Sequence, residues 1–302
     1  GGGSTMGYKL AGFDVVGFLE IDKRMADMYV KNHNPKFAFV EAIQTFKNRT
    51  DLPAELFELD ILDGSPPCSS FSMSGNREKD WGKEKKFSEG QSLQVLDTLF
   101  YDFIDLAEKL QPKVVVAENV TGILKGNARE YVRKVINAFD KAGYLVQEFE
   151  LDSSQMNVPQ KRERVFFIAI RKDLVELLPG PVGLLFPDVP KLDLKFGRSP
   201  IPFDEIRTEG LRDNSWTDHD QYIWDRRVIG DRKFSDVLIR VQGRNSNFNS
   251  SFIYPHKPVP TLASSEGSKY VLFDEPRKMN STEMKLAQSF PLDYDFGSNK
   301  CS

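Results

Sequence analysis

The sequence contains very little cysteine: two residues in 302, Cys68 in mid-chain and Cys301 beside the end. There is no CxxC pair and no cluster of Cys and His, which argues against a disulfide scaffold and a structural metal site. Long apolar runs are also absent, and no stretch approaches the roughly 18 residues that a membrane-spanning helix needs. The first residues lack the pattern of a secretory signal. We therefore expect a reduced, cytoplasmic protein without metal or membrane contacts.

The chain also lacks a strong net charge. The formal charge of −3 gives no overall attraction to a polyanion. The hydrophobic content of 40% is typical of a globular protein. Lys and Arg do gather locally, at 77–86, 161–172 and 226–244. These runs predict either a local basic cleft or ordinary solvated surfaces, and the sequence leaves both readings open.

Apolar periodicity indicates alternating strands and helices. Between Ser88 and Leu110 apolar residues recur at spacings of three and four, which predicts a one-sided helix. The apolar run from Val114 to Ala117 predicts a buried parallel strand. The other predicted elements are a helix closed by Gly12, a strand near 14–19, a helix near 128–142, and strands near 144–151 and 164–170. This order predicts an α/β, doubly wound parallel sheet that binds ligands at the carboxyl ends of its strands.

A Pro-rich stretch at 179–203 interrupts this alternation and predicts a domain boundary. We expect a catalytic and cofactor-binding domain at 1–178 and a small separate lobe at 179–250. Residues 251–302 are expected to return to the catalytic domain.

Cys68 stands in the segment LDGSPPCSSFSMSG, after two prolines and among small hydroxylated residues. A structural cysteine usually sits in an apolar run, whereas rigid prolines and turn-forming residues fix where a thiol points. The pattern favours a nucleophile over a core residue.

Three further groups suit a catalytic site. The glycines at 1–3, followed by Glu20 at a strand end, fit a nucleotide-type cofactor site, although a linker would also be Gly-rich. Glu118 and Asn119 follow the apolar strand, so the carboxyl group is a candidate proton donor. Arg162 and Arg164 alternate at the start of a strand and could clamp a phosphate or a base carbonyl.

Taken in order, the Gly-rich turn with EID, then SPPCSSFS, AENV and QKRERV, resemble the motifs of the DNA (cytosine-5) methyltransferases of bacterial or phage type. The resemblance covers about 1–172 and 255–296. It implies a Rossmann-like class I methyltransferase sheet with a smaller target-recognition domain. By this resemblance Cys68 is the nucleophile, Glu118 its partner acid and Asn119 a brace for the Cys68 loop. Arg162 and Arg164 would contact the base or the catalytic loop.

The resemblance also implies S-adenosyl-L-methionine as cofactor and S-adenosyl-L-homocysteine as product. The cofactor positions correspond to Gly2, Gly3, Glu20, Ile21, Pro66 and Leu99. Supporting roles around the base and the loop fall to Ser72, Gln160, Thr261 and Arg277. The polar segment 72–88 is the candidate lid over a base flipped out of the duplex.

Double-stranded DNA is the implied partner. A cognate restriction endonuclease, encoded beside the enzyme, is a candidate genetic partner. We expect a monomer. Candidates for reading the target in the small lobe are Arg227, Arg232, Arg240, Gln242 and Arg244. Three features depart from the family. The family's first strand and its closing motif are missing from this sequence. We expect flanking residues to supply them; a second polypeptide is the less favoured alternative. Ala42-Ile43 stands where an acid followed by Ile often contacts adenine.

Other functions remain as alternatives. A tRNA cytosine-5 methyltransferase would carry similar motifs, although Ser72 after the cysteine and the separate lobe favour DNA. A catalytically silent DNA-binding homologue need not keep Cys68 and Glu118. A nicotinamide oxidoreductase would explain the glycines and Glu20 but leaves the SPPC and ENV segments unused.

Overall fold

The structure, a computed structural model, divides the chain into two compact units. The first comprises Gly1–Leu151 and Glu163–Lys195, and the second Asp152–Arg162 and Phe196–Ser302. The structure describes residues 2–67, 98–126, 128–175, 191–210, 216–244, 250–263 and 270–297. The predictions for Cys68, Ser72 and the lid at 72–88 lie outside these described residues.

The first unit begins with a helix and then alternates strands with helices. Its first half contains α1 (Gly3–Leu10), β1 (Gly17–Leu19), α2 (Lys23–His33), β2 (Phe37–Phe39), α3 (Ile43–Phe46) and β3 (Ile61–Gly64). The strands β1 and β2 pair in parallel, with Phe18 opposite Ala38. Asp22 starts α2, because its carboxylate accepts hydrogen bonds from the backbone amides of Arg24 and Met25.

A larger sheet completes this unit, in the strand order β3-β4-β7-β5. Its elements are α4 (Leu99–Leu110), β4 (Val114–Val120), α5 (Ala128–Lys141), β5 (Tyr144–Asp152), β7 (Glu163–Arg171) and α6 (Lys172–Val175), with the short β6 (Gln160–Lys161) of the second unit before β7. β4 runs parallel to β3 but antiparallel to β7, so the expectation of a wholly parallel sheet is wrong at β7. The reason is the connection, because residues 153–162 contain no crossover helix that would return the chain for a parallel strand.

The helix α4 is the centre of the first unit's packing, since its apolar residues contact two hydrophobic clusters. Phe100 and Phe103 pack with β4, α5 and β7. Leu106 and Leu110 pack with Phe46 and with partly buried residues of β1, β2 and β3. Burial alternates along β4, so that Asn119 is buried and its neighbour Glu118 is half-buried. The sheet and α4 together therefore position the strand ends that follow.

The second unit contains short helices and strands. After β6 come α7 (Asp218–Asp225), α8 (Phe234–Gln242), β8 (Ser251–Ile253), β9 (Val259–Pro260), β10 (Tyr270–Leu272) and α9 (Ser281–Ala287). β8 pairs in parallel with β10, and β6 pairs in parallel with β9. Ile253 and Leu272 share a buried cluster with Phe203, and Phe252 shares another with Phe234.

The two compact units reflect packing and do not test the predicted functional boundaries. Described residues of 251–297 pack in the same unit as the lobe, and the compact first unit extends to Lys195. The functional division of the chain remains a proposal. Over the described ranges, no helix is both long and apolar enough to cross a membrane.

Candidate active site

A cavity of about 1050 Å³ opens in the first unit at the ends of its strands. It is lined by Gly2 at the start of α1, Glu20 and Ile21 after β1, Pro66 after β3, and Leu99 at the start of α4. The sequence assigned all five to the cofactor, and the structure brings them to one cavity. The sixth, Gly3, is the first residue of α1 and is not among the described lining residues.

Local backbone geometry shapes two sides of this cavity. Gly2 adopts a φ of 83°, in the left-handed region that other residues rarely enter, and it is the N-cap of α1. Glu20 follows β1, and its Oε1 accepts a hydrogen bond from the amide of Asp22 at 2.9 Å. This contact fixes the carboxylate at the strand end, where ribose hydroxyls of a nucleoside could donate to it.

The charged lining of the cavity has one sign. Asp and Glu supply every charged side chain among the described lining residues, which include no Lys, Arg or His. Such a lining favours a cation over an anion. It suits the sulfonium and ammonium groups of S-adenosylmethionine and opposes the pyrophosphate of a nicotinamide dinucleotide.

Glu118 and Arg164 form an ion pair at the end of β4. The antiparallel register places Arg164 opposite Val120, two residues beyond Glu118. Arg164 Nε lies 2.8 Å from Glu118 Oε1, and the two side chains are 17% and 23% exposed. The pair is therefore shielded enough to hold its geometry and open enough to contact a ligand.

Asn119 connects this strand end to the loop that leads to Cys68. Its Nδ2 donates to the backbone oxygen of Pro66 at 3.1 Å, and its Oδ1 accepts from the amide of Val120 at 2.9 Å. Because the amide is buried, losing either bond would leave a polar group unsatisfied. Pro66 also lines the cavity, so Asn119 links β4 to the cavity wall.

Comparison with known proteins agrees with this geometry. The family described as C-5 cytosine-specific DNA methylase matches residues 1–302. The chain belongs to this family. Among its relatives, the type II methyltransferase M.DdeI of Desulfomicrobium norvegicum is 28% identical over 98% of this chain and 77% of its own length. M.Sau96I of Staphylococcus aureus is 29% identical over 98% of this chain and 67% of its own length.

A solved structure supports the fold of this methylase. A prophage-encoded DNA modification methyltransferase of Escherichia coli superposes with a TM-score of 0.63 at 19% identity, covering 97% of this chain and 87% of that one. The predicted Rossmann-like methyltransferase fold is confirmed. The predicted activity class, a DNA methyltransferase acting on C5 of cytosine, is confirmed by the family.

The remaining motif residues of the methylase lie in its second unit. Arg162 lies between β6 and β7, which begins at Glu163; Arg162 and Arg164 are both partly buried, while Lys161 and Glu163 are exposed. Gln160 is buried in β6, and its side-chain nitrogen has no hydrogen-bond acceptor among the described residues. Thr261 donates to the backbone oxygen of Lys161 at 2.9 Å, which joins the ends of β6 and β9.

Arg277 is buried and is held by contacts within the second unit. It is 2% exposed and binds both oxygens of Glu283, from Nη1 at 2.9 Å and from Nη2 at 2.8 Å. Nη2 also donates to the backbone oxygen of Thr208 at 3.0 Å. Arg277 therefore joins distant segments of the second unit.

The five candidates for reading DNA have different environments. Arg227 donates to the backbone oxygens of Trp224 and Phe273, and its guanidinium lies 3.3 Å from the Trp224 ring centroid. Arg240 donates to Asp231 at 2.7 Å. Gln242 contacts Tyr222 at 3.4 Å and accepts from Arg244 at 2.7 Å, while Arg232 is exposed. Internal contacts thus occupy Arg227 and Arg240.

Many residues that line the cavity were not identified from the sequence. Among them are Ser4, Tyr8 and Asp63, and Tyr8 donates to Asp63 Oδ1 at 3.4 Å. Two signals could have found them: Ser4 and Tyr8 share one helix face at a spacing of four, and Asp63 lies at the carboxyl end of β3. Ala42 and Ile43 also line the cavity, as their place in the sequence suggested.

Proposed function

We propose that the chain transfers the methyl group of S-adenosyl-L-methionine to C5 of a cytosine flipped out of duplex DNA, with Cys68 as nucleophile. The observation that carries this proposal is the junction at the ends of β3 and β4. There Asn119 holds Pro66, two residues before Cys68, while the neighbouring Glu118 is fixed by Arg164. Nucleophile, proton donor and cofactor cavity would then meet at one edge of the sheet.

Cys68 overcomes the weak nucleophilicity of cytosine C5. Its thiolate forms a bond to C6, and the electron pair of the C5–C6 double bond makes C5 nucleophilic while Glu118 gives a proton or hydrogen bond to N3. When bound, S-adenosyl-L-methionine would supply the electrophilic methyl group that C5 takes, with S-adenosyl-L-homocysteine as the product. A base then removes the C5 proton, the double bond re-forms and the Cys68 thiolate departs.

Arg164 and Asn119 position these groups. Arg164 orients one oxygen of Glu118, and Asn119 holds the start of the Cys68 loop against β4. The cofactor residues are proposed to be Gly2, Glu20, Ile21, Pro66 and Leu99, because they line the acidic cavity. Arg162, Gln160 and Thr261 are proposed to support the base and the loop.

The finer partners follow from the relatives. M.DdeI and M.Sau96I are named type II methyltransferases. We therefore propose a bacterial or phage enzyme, working as a monomer on duplex DNA beside a cognate restriction endonuclease, with 179–250 carrying much of the sequence choice. Its place on DNA in the cytoplasm remains a prediction.

Bisulfite sequencing of DNA from cells that express the chain tests the activity. Wild type and Cys301→Ser, which removes the other cysteine, should protect the same cytosines from conversion. Cys68→Ser should protect none. Duplex DNA with 5-fluorocytosine at the target should trap Cys68 covalently, because fluorine cannot leave as a proton. Protection by Cys68→Ser, or trapping by RNA in place of DNA, would contradict the proposal.

A further inference from the structure

We propose that the Asp63 carboxylate binds the ammonium group of the cofactor's amino-acid part and so sets the preference of the cavity for the intact cofactor. This inference rests on the proposed function, since it concerns the same cavity. Asp63 stands in the segment LDGSPPCSSFSMSG, but the sequence alone assigned it no role.

The position of Asp63 suits a contact with the cofactor. Asp63 is the third residue of β3 (Ile61–Gly64) and lies three residues before Pro66, at the carboxyl end of a strand parallel to β4. It lines the same cavity as Glu20. If Glu20 binds ribose hydroxyls, a second carboxylate in the same cavity is available for a different part of the ligand.

Asp63 differs from several other acids of the cavity in the groups that donate hydrogen bonds to it. Several acids that line the cavity are paired with bases that are not among its described lining residues: Glu41 with Arg49, Glu55 with Lys36, and Asp60 with Lys113. The hydrogen bonds to Asp63 come instead from neutral hydroxyls, those of Ser4 and Tyr8. They orient the carboxylate without neutralising it.

The ionised form of Asp63 carries a cost. The residue keeps an exposed surface, but desolvation of its carboxylate by neighbouring protein atoms, and after it the negative charge of Glu118, raises the pKa of Asp63 above its ordinary value. A ligand cation beside the carboxylate would favour its ionised form. An ammonium group offers a charge and three donors, which the hydroxyls of Ser4 and Tyr8 do not replace.

Binding measurements with three ligands test the inference on the full chain. S-adenosylmethionine carries both ammonium and sulfonium, S-adenosylhomocysteine keeps only the ammonium, and methylthioadenosine lacks the amino-acid part. In Asp63→Asn we expect calorimetric affinity for the first two to fall about tenfold to a hundredfold, the loss of a charge-assisted hydrogen bond. Affinity for methylthioadenosine should change less than twofold.

Two variants serve as controls. Asp60→Asn removes an acid of the same cavity that lies 2.6 Å from Lys113, and it should leave all three affinities within twofold. Tyr8→Phe removes a hydroxyl that orients Asp63 but keeps the carboxylate, so the preference for ligands with an ammonium should persist.

The binding results distinguish a failure of the role of Asp63 from a failure of the proposed function. Equal weakening of all three ligands in Asp63→Asn would mean that Asp63 only braces α1, and a loss confined to S-adenosylmethionine would assign the counter-charge to the sulfonium. Either result overturns the inference and leaves the proposed function intact. If wild type binds none of the ligands, the cofactor assignment fails and the inference fails with it.

Discussion

Each unit contains an arginine paired with a glutamate, and the two pairs differ in exposure. Arg164 and Glu118 in the first unit are 17% and 23% exposed. Arg277 and Glu283 in the second unit are 2% and 0% exposed. The first pair retains surface through which a substrate could contact it, whereas the second is enclosed by its own unit. The same chemical pairing thus suits catalysis in one place and packing in the other.

The enclosure of Arg277 follows from its partners. A buried carboxylate such as Glu283 is costly to desolvate, and the bidentate arginine with backbone acceptors around it offsets that cost. Glu283 also accepts from the amides of Thr208 and Asn280, so it organises the start of α9. In the first unit, Arg164 pairs with Glu118 at a strand end and also donates to the backbone oxygen of Glu163.

The largest effect, on turnover, should come from the partly exposed pair of Arg164 and Glu118. Glu118→Gln removes the proton donor while keeping the shape of the side chain, so turnover should fall about 10²–10⁴-fold with little change in stability. Methyl transfer from labelled cofactor to DNA measures it. Glu130→Gln, at an exposed acid paired with Lys134 on α5, should keep wild-type turnover. Normal turnover in Glu118→Gln would remove Glu118 from the mechanism.

Changes in the buried pair of Arg277 and Glu283 should lower the free energy of unfolding instead. Arg277→Met leaves Glu283 buried without its partner, which costs about 3–5 kcal/mol of unfolding free energy for a buried pair. Chemical denaturation followed by circular dichroism measures the loss. Arg164→Met should cost clearly less, because its glutamate remains partly solvated. Equal losses would show that burial does not distinguish the pairs.

These differences mark what the sequence could predict. The cofactor positions came from the family resemblance and stay a prediction, although five of the six line one cavity. The alternation of strands and helices and the single face of α4 were readable, because periodicity depends on local patterns. The reversed β7 was not, since strand direction depends on how the chain returns to the sheet. The contacts of Arg227 with Trp224 and of Arg240 with Asp231 were not readable either, because sequence does not show which residues the fold places beside a side chain. The DNA contacts of both arginines stay predictions.

Asp63 shows a second limit. Within LDGSPPC it reads as a loop acid, and only the fold brings Ser4 and Tyr8 of α1 to its carboxylate across more than fifty residues of sequence. Long-range neighbours of this kind decide whether an acid is paired, and pairing decides its role.

A smaller effect is expected at Glu20, on cofactor binding and not on the chemical step. Glu20→Ala removes an acceptor for ribose hydroxyls, a loss of about 1.5–3 kcal/mol for charge-assisted hydrogen bonds. Affinity for S-adenosylmethionine should weaken about tenfold to a hundredfold by calorimetry, with turnover recovered at saturating cofactor. Unchanged affinity would contradict the assignment, and so would a defect that saturating cofactor does not relieve.

The smallest effect should separate two arginines of the second unit. Burial lowers the pKa of Arg227, whose guanidinium lies against Trp224, whereas Arg232 is exposed. Arg232→Ala should therefore weaken DNA binding a few-fold and reduce the slope of log affinity against log salt by about one, the change expected when one phosphate contact is lost. Arg227→Ala should lower the unfolding midpoint instead and leave that slope unchanged in the folded protein. If Arg227→Ala reduces the slope and Arg232→Ala does not, the exposed arginine is not the DNA contact, and Arg227 must leave its position against the Trp224 ring when DNA binds.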